Sequence, residues 1–536
     1  MQQPTRQQHL TQDHEAPTVN TISPIPSRRR DAVRRRTAFG AALGAVSLAL
    51  VVGCSSTVAG TAAAPAALAM AGSNTSTAAS APSTTGGAST SGPATPTTEQ
   101  TGPVDLTTGA TTVAPPATTL GQTDGPTRPT DVEPATDIEI IGDKGTATDQ
   151  LAKDSLSDVI AYWDSVSQEV FGEPLPPLKG GVYAVDPDDP NSEIPACLDT
   201  PEDARNNAFF CGADDSISYD AKYLERIAED YSDLDVAFTF AHEFGHALQF
   251  RFLDWSGARS IVLETQADCL AGAWAKAVTD GLAPHFEFSA ENLDRVLGDY
   301  VWEMGDPAGT DPEHARAHGS VFDRISATQD GYLGGPTVCR DDFNDERIFT
   351  AEQFTATSAS TDGMGNLNLD QTIDGTKSIL DKFWTERFTQ DSGFVTPEVS
   401  EGAKGDPSCA DDHLVSYCDA AGSIDLNPMD SVADIHKTYG DYGLGSAMIL
   451  AYTEYLQTKF GSSTDMTERI CTLGAVTADL YNKGNLSPGD FDEAVKVLVF
   501  ADKDNALVET GDGTAWDRLD AFRVGIYEGL SSCNLH

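Results

Sequence analysis

Apolar positions along this chain repeat with two periods, and one long stretch has neither. Leu156, Val159, Ile160, Trp163, Val166 and Val170 recur at the spacing of one helix face, which predicts an amphipathic helix. From Leu234 to Phe252 a second stripe, Val236, Ala237, Phe240, Ala241, Phe244 and Leu248, predicts another. Leu270, Ala271, Ala273, Trp274 and Ala275 mark a third helix, apolar enough to be packed on most sides. Ser216-Ile217-Ser218-Tyr219 alternates as a strand does. Residues 38–53 form an apolar run. From Ser55 to about Gly145 the chain is Thr, Ala, Ser, Pro and Gly with almost no aromatics. Such a segment buries too little apolar surface to offset the entropy of ordering, so a disordered tether is expected there.

The second helix carries His242-Glu243-Phe244-Gly245-His246. Side chains four apart share a helix face, so both imidazoles can reach one ion, and Glu243 lies beside them to take a proton from water. A hydrolytic zinc needs a third protein ligand and an open position. Leu263-Glu264-Thr265-Gln266-Ala267-Asp268-Cys269 offers Glu264 as that ligand, with Asp268 one turn on to accept the free ring N–H of a ligand histidine. This set resembles the gluzincin metallopeptidases, which pair HExxH with a later ExxxD. It is more closely similar to the neutral zinc metallopeptidase family, and to actinobacterial lipoproteins of that kind. The residues carrying the likeness are His242 to His246 with Gln249, Glu264 to Trp274, and His318-Gly319-Ser320. The resemblance spans roughly residues 156–339. It implies an α+β, zincin-like domain, a Zn2+ cofactor, and a peptide or protein substrate. It further implies a bond between Cys197 and Cys211 and a substrate-edge strand at Ser216–Asp220. His318 is the candidate donor to an oxyanion, with His314, Tyr219, Tyr300 and Tyr332 as alternatives.

Charge and leader add location. The chain holds 82 acidic and 34 basic residues, a formal charge of −48, which disfavours nucleic acid and anionic headgroups as partners. Arginines between Arg28 and Arg36 precede the apolar run, which is too short to span a bilayer comfortably and ends in Val51-Val52-Gly53-Cys54. That ending resembles the lipobox of bacterial lipoproteins, in which the cysteine, here Cys54, is acylated. It implies an exported protein of the cell envelope, held to the cell membrane by N-terminal lipid alone. The expected organisation is a leader at 1–53, a tether at 54–145, a metallopeptidase domain at 146–345 and a second domain at 346–536.

Nine cysteines are present, and setting Cys54 aside leaves an even number in an exported chain. His318-Gly319-Ser320-Val321-Phe322-Asp323-Arg324 aligns with Asp512-Gly513-Thr514-Ala515-Trp516-Asp517-Arg518, and without a gap Gly331, Gly335 and Cys339 meet Gly525, Gly529 and Cys533. Cys269-Leu270-Ala271-Gly272-Ala273 matches Cys471-Thr472-Leu473-Gly474-Ala475 in the same order. This predicts an internal duplication. Equivalent cysteines would then pair alike: Cys197–Cys211, Cys269–Cys339, Cys409–Cys418 and Cys471–Cys533. Aligning Leu248-Gln249 with Leu456-Gln457 puts Leu450, Ala451 and Glu454 at the positions of His242, Glu243 and His246. Met466, Ile470 and Asp512 fall at Glu264, Asp268 and His318, so the second copy is expected to be degenerate and non-catalytic. A metal-containing binding or assembly lipoprotein and a cell-wall peptide amidase stay open beside the peptidase. Neither oligomeric state nor the peptide cleaved is set by the sequence.

Overall fold

The computed structural model describes residues 51–55 and, apart from short stretches of which 351–365 and 402–412 are the longest, residues 128–534. Most of the expected leader, the tether up to residue 127, Tyr300, Cys409 and Asp512 lie outside the described residues. The described chain is α+β, rich in helix with two small mixed sheets. Among the described residues no helix is long and apolar enough to cross a membrane.

In chain order the first half runs β1 (Val51–Ser55), β2 (Ile140–Ile141), α1 (Ala147–Val170), β3 (Gly181–Val185), β4 (Asn207–Cys211), β5 (Ser216–Asp220), α2 (Ala221–Asp230), α3 (Asp233–Phe252), α4 (Ser260–Thr279), α5 (Ala290–Asp299), α6 (Val321–Gly334) and α7 (Pro336–Asp342). The second half runs α8 (Leu369–Thr385), β6 (Glu398–Glu401), β7 (Val415–Cys418), β8 (Ser423–Leu426), α9 (Met429–Tyr439), α10 (Asp441–Phe460), α11 (Met466–Asn482), α12 (Asp490–Phe500) and α13 (Ala515–Glu528). The first sheet has the order β1-β4-β5-β3-β2, with β5 parallel to β3 and antiparallel to β4. The second has the order β6-β8-β7, with β8 parallel to β6 and antiparallel to β7.

Residues 131–145, assigned to the tether, are tied to the fold although most of them are exposed. Ile140–Ile141 pairs with β3, Ala135 N donates to the buried Asp154 at 2.8 Å, and Lys144 N donates to Asp149 at 3.0 Å. Their few apolar side chains sit among polar ones, so composition hides a segment held largely by backbone hydrogen bonds. Val51–Ser55, which straddles the expected leader–tether junction at Cys54, pairs with β4 as an antiparallel edge strand. The boundary at residue 345 does not divide the core. One apolar cluster runs from Leu151 and Trp163 to Trp516 and Phe522. Backbone N–H groups of Ala515 and Trp516 donate to Asp294, that of Phe322 donates to Asp492, and Gln329 donates to the carbonyl of Trp516.

The helices that carry the candidate chemistry are brought close by small residues. A Cβ at Gly245 would lie 3.0 Å from Ala267 Cα, so α3 and α4 touch at their backbones. The crossing of α4 and α6 is tighter still, since a Cβ at Gly331 would lie 1.8 Å from the carbonyl oxygen of Cys269. Gly331→Ala is therefore expected to force the two helices apart and cost on the order of 3 kcal/mol, read from a shifted denaturant midpoint. The same crossing recurs between α11 and α13, where a Cβ at Gly525 would lie 1.9 Å from the carbonyl oxygen of Cys471. Disulfides Cys269–Cys339 and Cys471–Cys533 flank the two crossings, and Cys197–Cys211 ties the loop before β4 to its end. Cys418 is also disulfide-bonded.

Candidate metal centre

α3 is a twenty-residue helix buried along most of its length, and its single turn His242–His246 faces α4. Because the helices meet at Gly245, Glu264 on α4 reaches both histidines. His242 Nε2 and His246 Nε2 lie 3.1 Å apart, and Glu264 Oε2 lies 3.2 Å from the first and 3.6 Å from the second. All three residues are buried, and together they could hold a metal ion.

The hydrogen bonds behind these rings decide what they present. His242 Nδ1 lies 2.8 Å from Asp268 Oδ1, and a carboxylate there can only accept. The Gln249 amide donates from Nε2 to the carbonyl of Leu263 and to Gln266 Oε1, so its Oε1 faces His246 Nδ1 at 2.9 Å. Both Nδ1 atoms therefore carry the proton, and in the neutral rings both Nε2 atoms turn lone pairs toward each other and toward a carboxylate oxygen. Three acceptors converging in a dry site repel unless a cation sits between them. Ligands about 2.0–2.1 Å from a tetrahedral zinc stand roughly 3.3 Å apart, close to the spacings seen. The donor set, two imidazoles and one carboxylate, suits such an ion.

Asp268 is itself fixed. Arg324 on α6 donates Nε to Asp268 Oδ2 and Nη2 to Oδ1, both at 2.8 Å, and Nη1 to the carbonyl of Met304. Burial pushes the Asp268 carboxyl up, but Arg324 and His242 outweigh it and hold its pKa below the ordinary value. Removing this clamp through Arg324→Leu is expected to weaken metal binding by roughly 10–100-fold, measured by competition with a chromogenic chelator.

The pKa values of Glu243 and Glu264 are shifted in opposite directions. Burial raises the Glu243 pKa against the opposing influence of the two histidines. Burial also acts on Glu264, but His318, His246 and the bond to His242 prevail and hold it well below the carboxylate range. The charged form is thus favoured at Glu264 and disfavoured at Glu243. Phe210 N on β4 donates to Glu243 Oε2 at 2.8 Å, while Glu243 Oε1 is buried with no hydrogen-bond partner among the described residues. His318 Nε2 lies 4.0 Å from Glu264 Oε1, and its Nδ1 lies 3.3 Å from Asp306 Oδ1. Burial opposes protonation of His318, yet Glu264 and Asp306 raise its pKa above the ordinary value. With 14% of its side chain exposed, His318 is the most open of these groups.

No family model, curated protein or solved structure matches this chain. The site therefore stands on its own geometry.

That geometry brings together His242, Glu243, His246, Glu264, Asp268 and His318, and it separates others. His314 forms a local turn in which its ring accepts from Arg316 N, and Tyr219 donates to Asp149 in the first turn of α1. Tyr332 Oη pairs with Thr279 Oγ1 at 3.2 Å. The expected edge strand at Ser216–Asp220 is interior, between β3 and β4, and the strand that touches Glu243 is β4. Alternating apolar residues mark a strand but not its place in a sheet. Sequence reasoning missed Arg324 and Asp306 as groups that fix the site. Arg324 closes the run shared with Arg518, and a guanidinium repeated inside an apolar helix was the available signal.

Proposed function

We propose that this chain is a zinc-dependent peptidase of the neutral zinc metallopeptidase type, exported to the cell envelope and held there by lipid on Cys54. The observation that carries this reading is the pair of histidines whose tautomers are locked so that both Nε2 lone pairs meet Glu264, with the unpartnered oxygen of Glu243 nearby. Zinc bound there supplies a Lewis acid toward the scissile carbonyl and lowers the pKa of water. Glu243 takes the proton of the attacking water and passes it to the leaving amine, a role that its raised pKa favours. His318, whose pKa Glu264 and Asp306 raise against the effect of burial, donates to the developing oxyanion. His318→Ala is expected to lower kcat about a hundredfold while metal content is unchanged, and a steady-state kinetic comparison checks it.

A ligand set held only to brace a fold would normally be closed by four protein groups, often cysteines. Here three ligands converge, and Cys269, the nearest cysteine in sequence, is bonded to Cys339. Substrate would lie antiparallel along β4, whose outer edge pairs with Val51–Ser55. Processing before Cys54 would remove Val51–Gly53 and free part of that edge.

The second half we read as a degenerate copy of the first. Its support is the shared strand pairing, the equal lengths of α3 and α10, and the matching glycine crossings and disulfides. At the position matching His246, Glu454 forms an ion pair with Arg469, which also bonds Gln457, the counterpart of Gln249. A fixed guanidinium beside Glu454 replaces the converging acceptors of the first half.

The peptidase reading is tested by incubating the full chain with a diverse peptide library, with and without a zinc chelator. Chelator-sensitive cleavage restored by zinc is expected. Absence of cleavage by zinc-loaded protein, with the metal bound, would favour a binding lipoprotein instead.

A further inference from the structure

A second group of buried acids lies in the other half of the molecule. Asp441 is the first residue of α10, Asp490 the first of α12, and Glu493 follows on the same face of α12. Carboxylate oxygens of the three all lie within 4.8 Å of one another, and all three residues are more than nine-tenths buried. Helix capping explains most of their contacts. Glu493 Oε2 accepts from Tyr442 N, Glu493 Oε1 from the Asn366 amide, Asp441 Oδ2 from Leu367 N, and both Asp490 oxygens from Ser487. Capping leaves one atom over: Asp441 Oδ1 is shut off from water and has no hydrogen-bond partner among the described residues. Capping also leaves the charge unbalanced, since among the described residues none of the three makes an ion pair with Lys or Arg, and Lys496 acts on Glu493 only as a minor influence.

We propose that Asp441, Asp490 and Glu493 form a binding site for a hard divalent cation of the calcium type, separate from the candidate zinc centre. Oxygen ligands alone, with no imidazole or thiolate, select a hard ion. Calcium takes its oxygens at about 2.3–2.6 Å, so oxygens within 4.8 Å of one another are close enough for one ion to reach all three. Asn366 can present its carbonyl oxygen by turning its amide. The backbone makes room for the cluster: Gly440 has φ +84°, and a Cβ there would lie 1.9 Å from the Glu493 carboxyl carbon. Without a cation the cluster would have to hold protons. Burial, with repulsion from Asp441, pushes Asp490 up to about 7, and burial with both neighbours pushes Glu493 up to about 8. A bound cation would join the starts of α10 and α12 to the segment before α8. α12 in turn accepts from the first turn of α6 through Asp492, so the ion would brace the junction of the two halves.

The test uses the full chain with zinc already bound, melted with and without millimolar calcium chloride, beside Asp441→Asn and Glu493→Gln. Calcium is expected to raise the wild-type melting temperature by roughly 5 °C and to leave both variants unmoved. Equilibrium dialysis with radioactive calcium provides the measure if a variant folds poorly: His246→Ala, which disables only the zinc centre, should still bind one calcium per chain. An unmoved wild type, a calcium response retained in both variants, or no saturable calcium in dialysis would each overturn the site. None of these outcomes depends on whether the first site hydrolyses peptides.

Discussion

Glu243→Gln is expected to keep one metal ion per chain and to lose peptide hydrolysis by about a thousandfold or more. The amide preserves the shape of the side chain, and the metal ligands are other residues. Its nitrogen cannot accept the proton that Glu243 takes, so chemistry fails while binding persists. The bond from Phe210 N to Oε2 can be kept by the amide oxygen, which separates loss of the base from loss of position. Metal analysis and steady-state kinetics on the same preparation check both halves of this expectation. Parallel loss of metal and activity would mean that Glu243 holds the site together rather than moving protons.

His246→Ala should have the complementary effect. It removes one of three converging ligands and leaves His242 Nε2 facing Glu264 alone at 3.2 Å. Metal should then be lost during dialysis against a mild chelator that leaves wild type loaded. Stability should respond as well, because whatever binds only the folded state stabilises it by mass action. Wild type is expected to melt lower after chelation, and His246→Ala to melt alike with and without chelator. A variant that retained stoichiometric metal would mean that another residue stands in the proposed place of His246.

The residues that could hold a metal were legible because their spacing is local. Four-residue spacing on a helix aligns His242 with His246, and Glu264 and Asp268 repeat that spacing on the next helix. Their convergence was less legible, since it depends on Gly245 letting α3 approach Ala267. The clamp of Arg324 on Asp268 joins residues 56 apart and leaves no periodic trace. The disulfides Cys269–Cys339 and Cys471–Cys533 followed from matched positions in an internal alignment. The same alignment suggested two separate domains. Whether two halves share a core depends on contacts such as Asp294 with Ala515 or Phe322 with Asp492, which no local pattern encodes. The interior position of β5 was hidden for a similar reason, because pairing order is a property of the sheet. Residues 131–145 escaped notice because backbone donors and Asp154, not an apolar stripe, hold them.

X-ray absorption at the zinc edge, on the purified full chain with one equivalent of zinc, tests the central claim most directly. The expected spectrum has two imidazole nitrogens and carboxylate oxygen at about 2.0–2.1 Å, one further light-atom position exchangeable with solvent, and no sulfur. A spectrum with thiolate sulfur near about 2.3 Å, or zinc that fails to bind at one equivalent, would contradict a centre built from His242, His246 and Glu264.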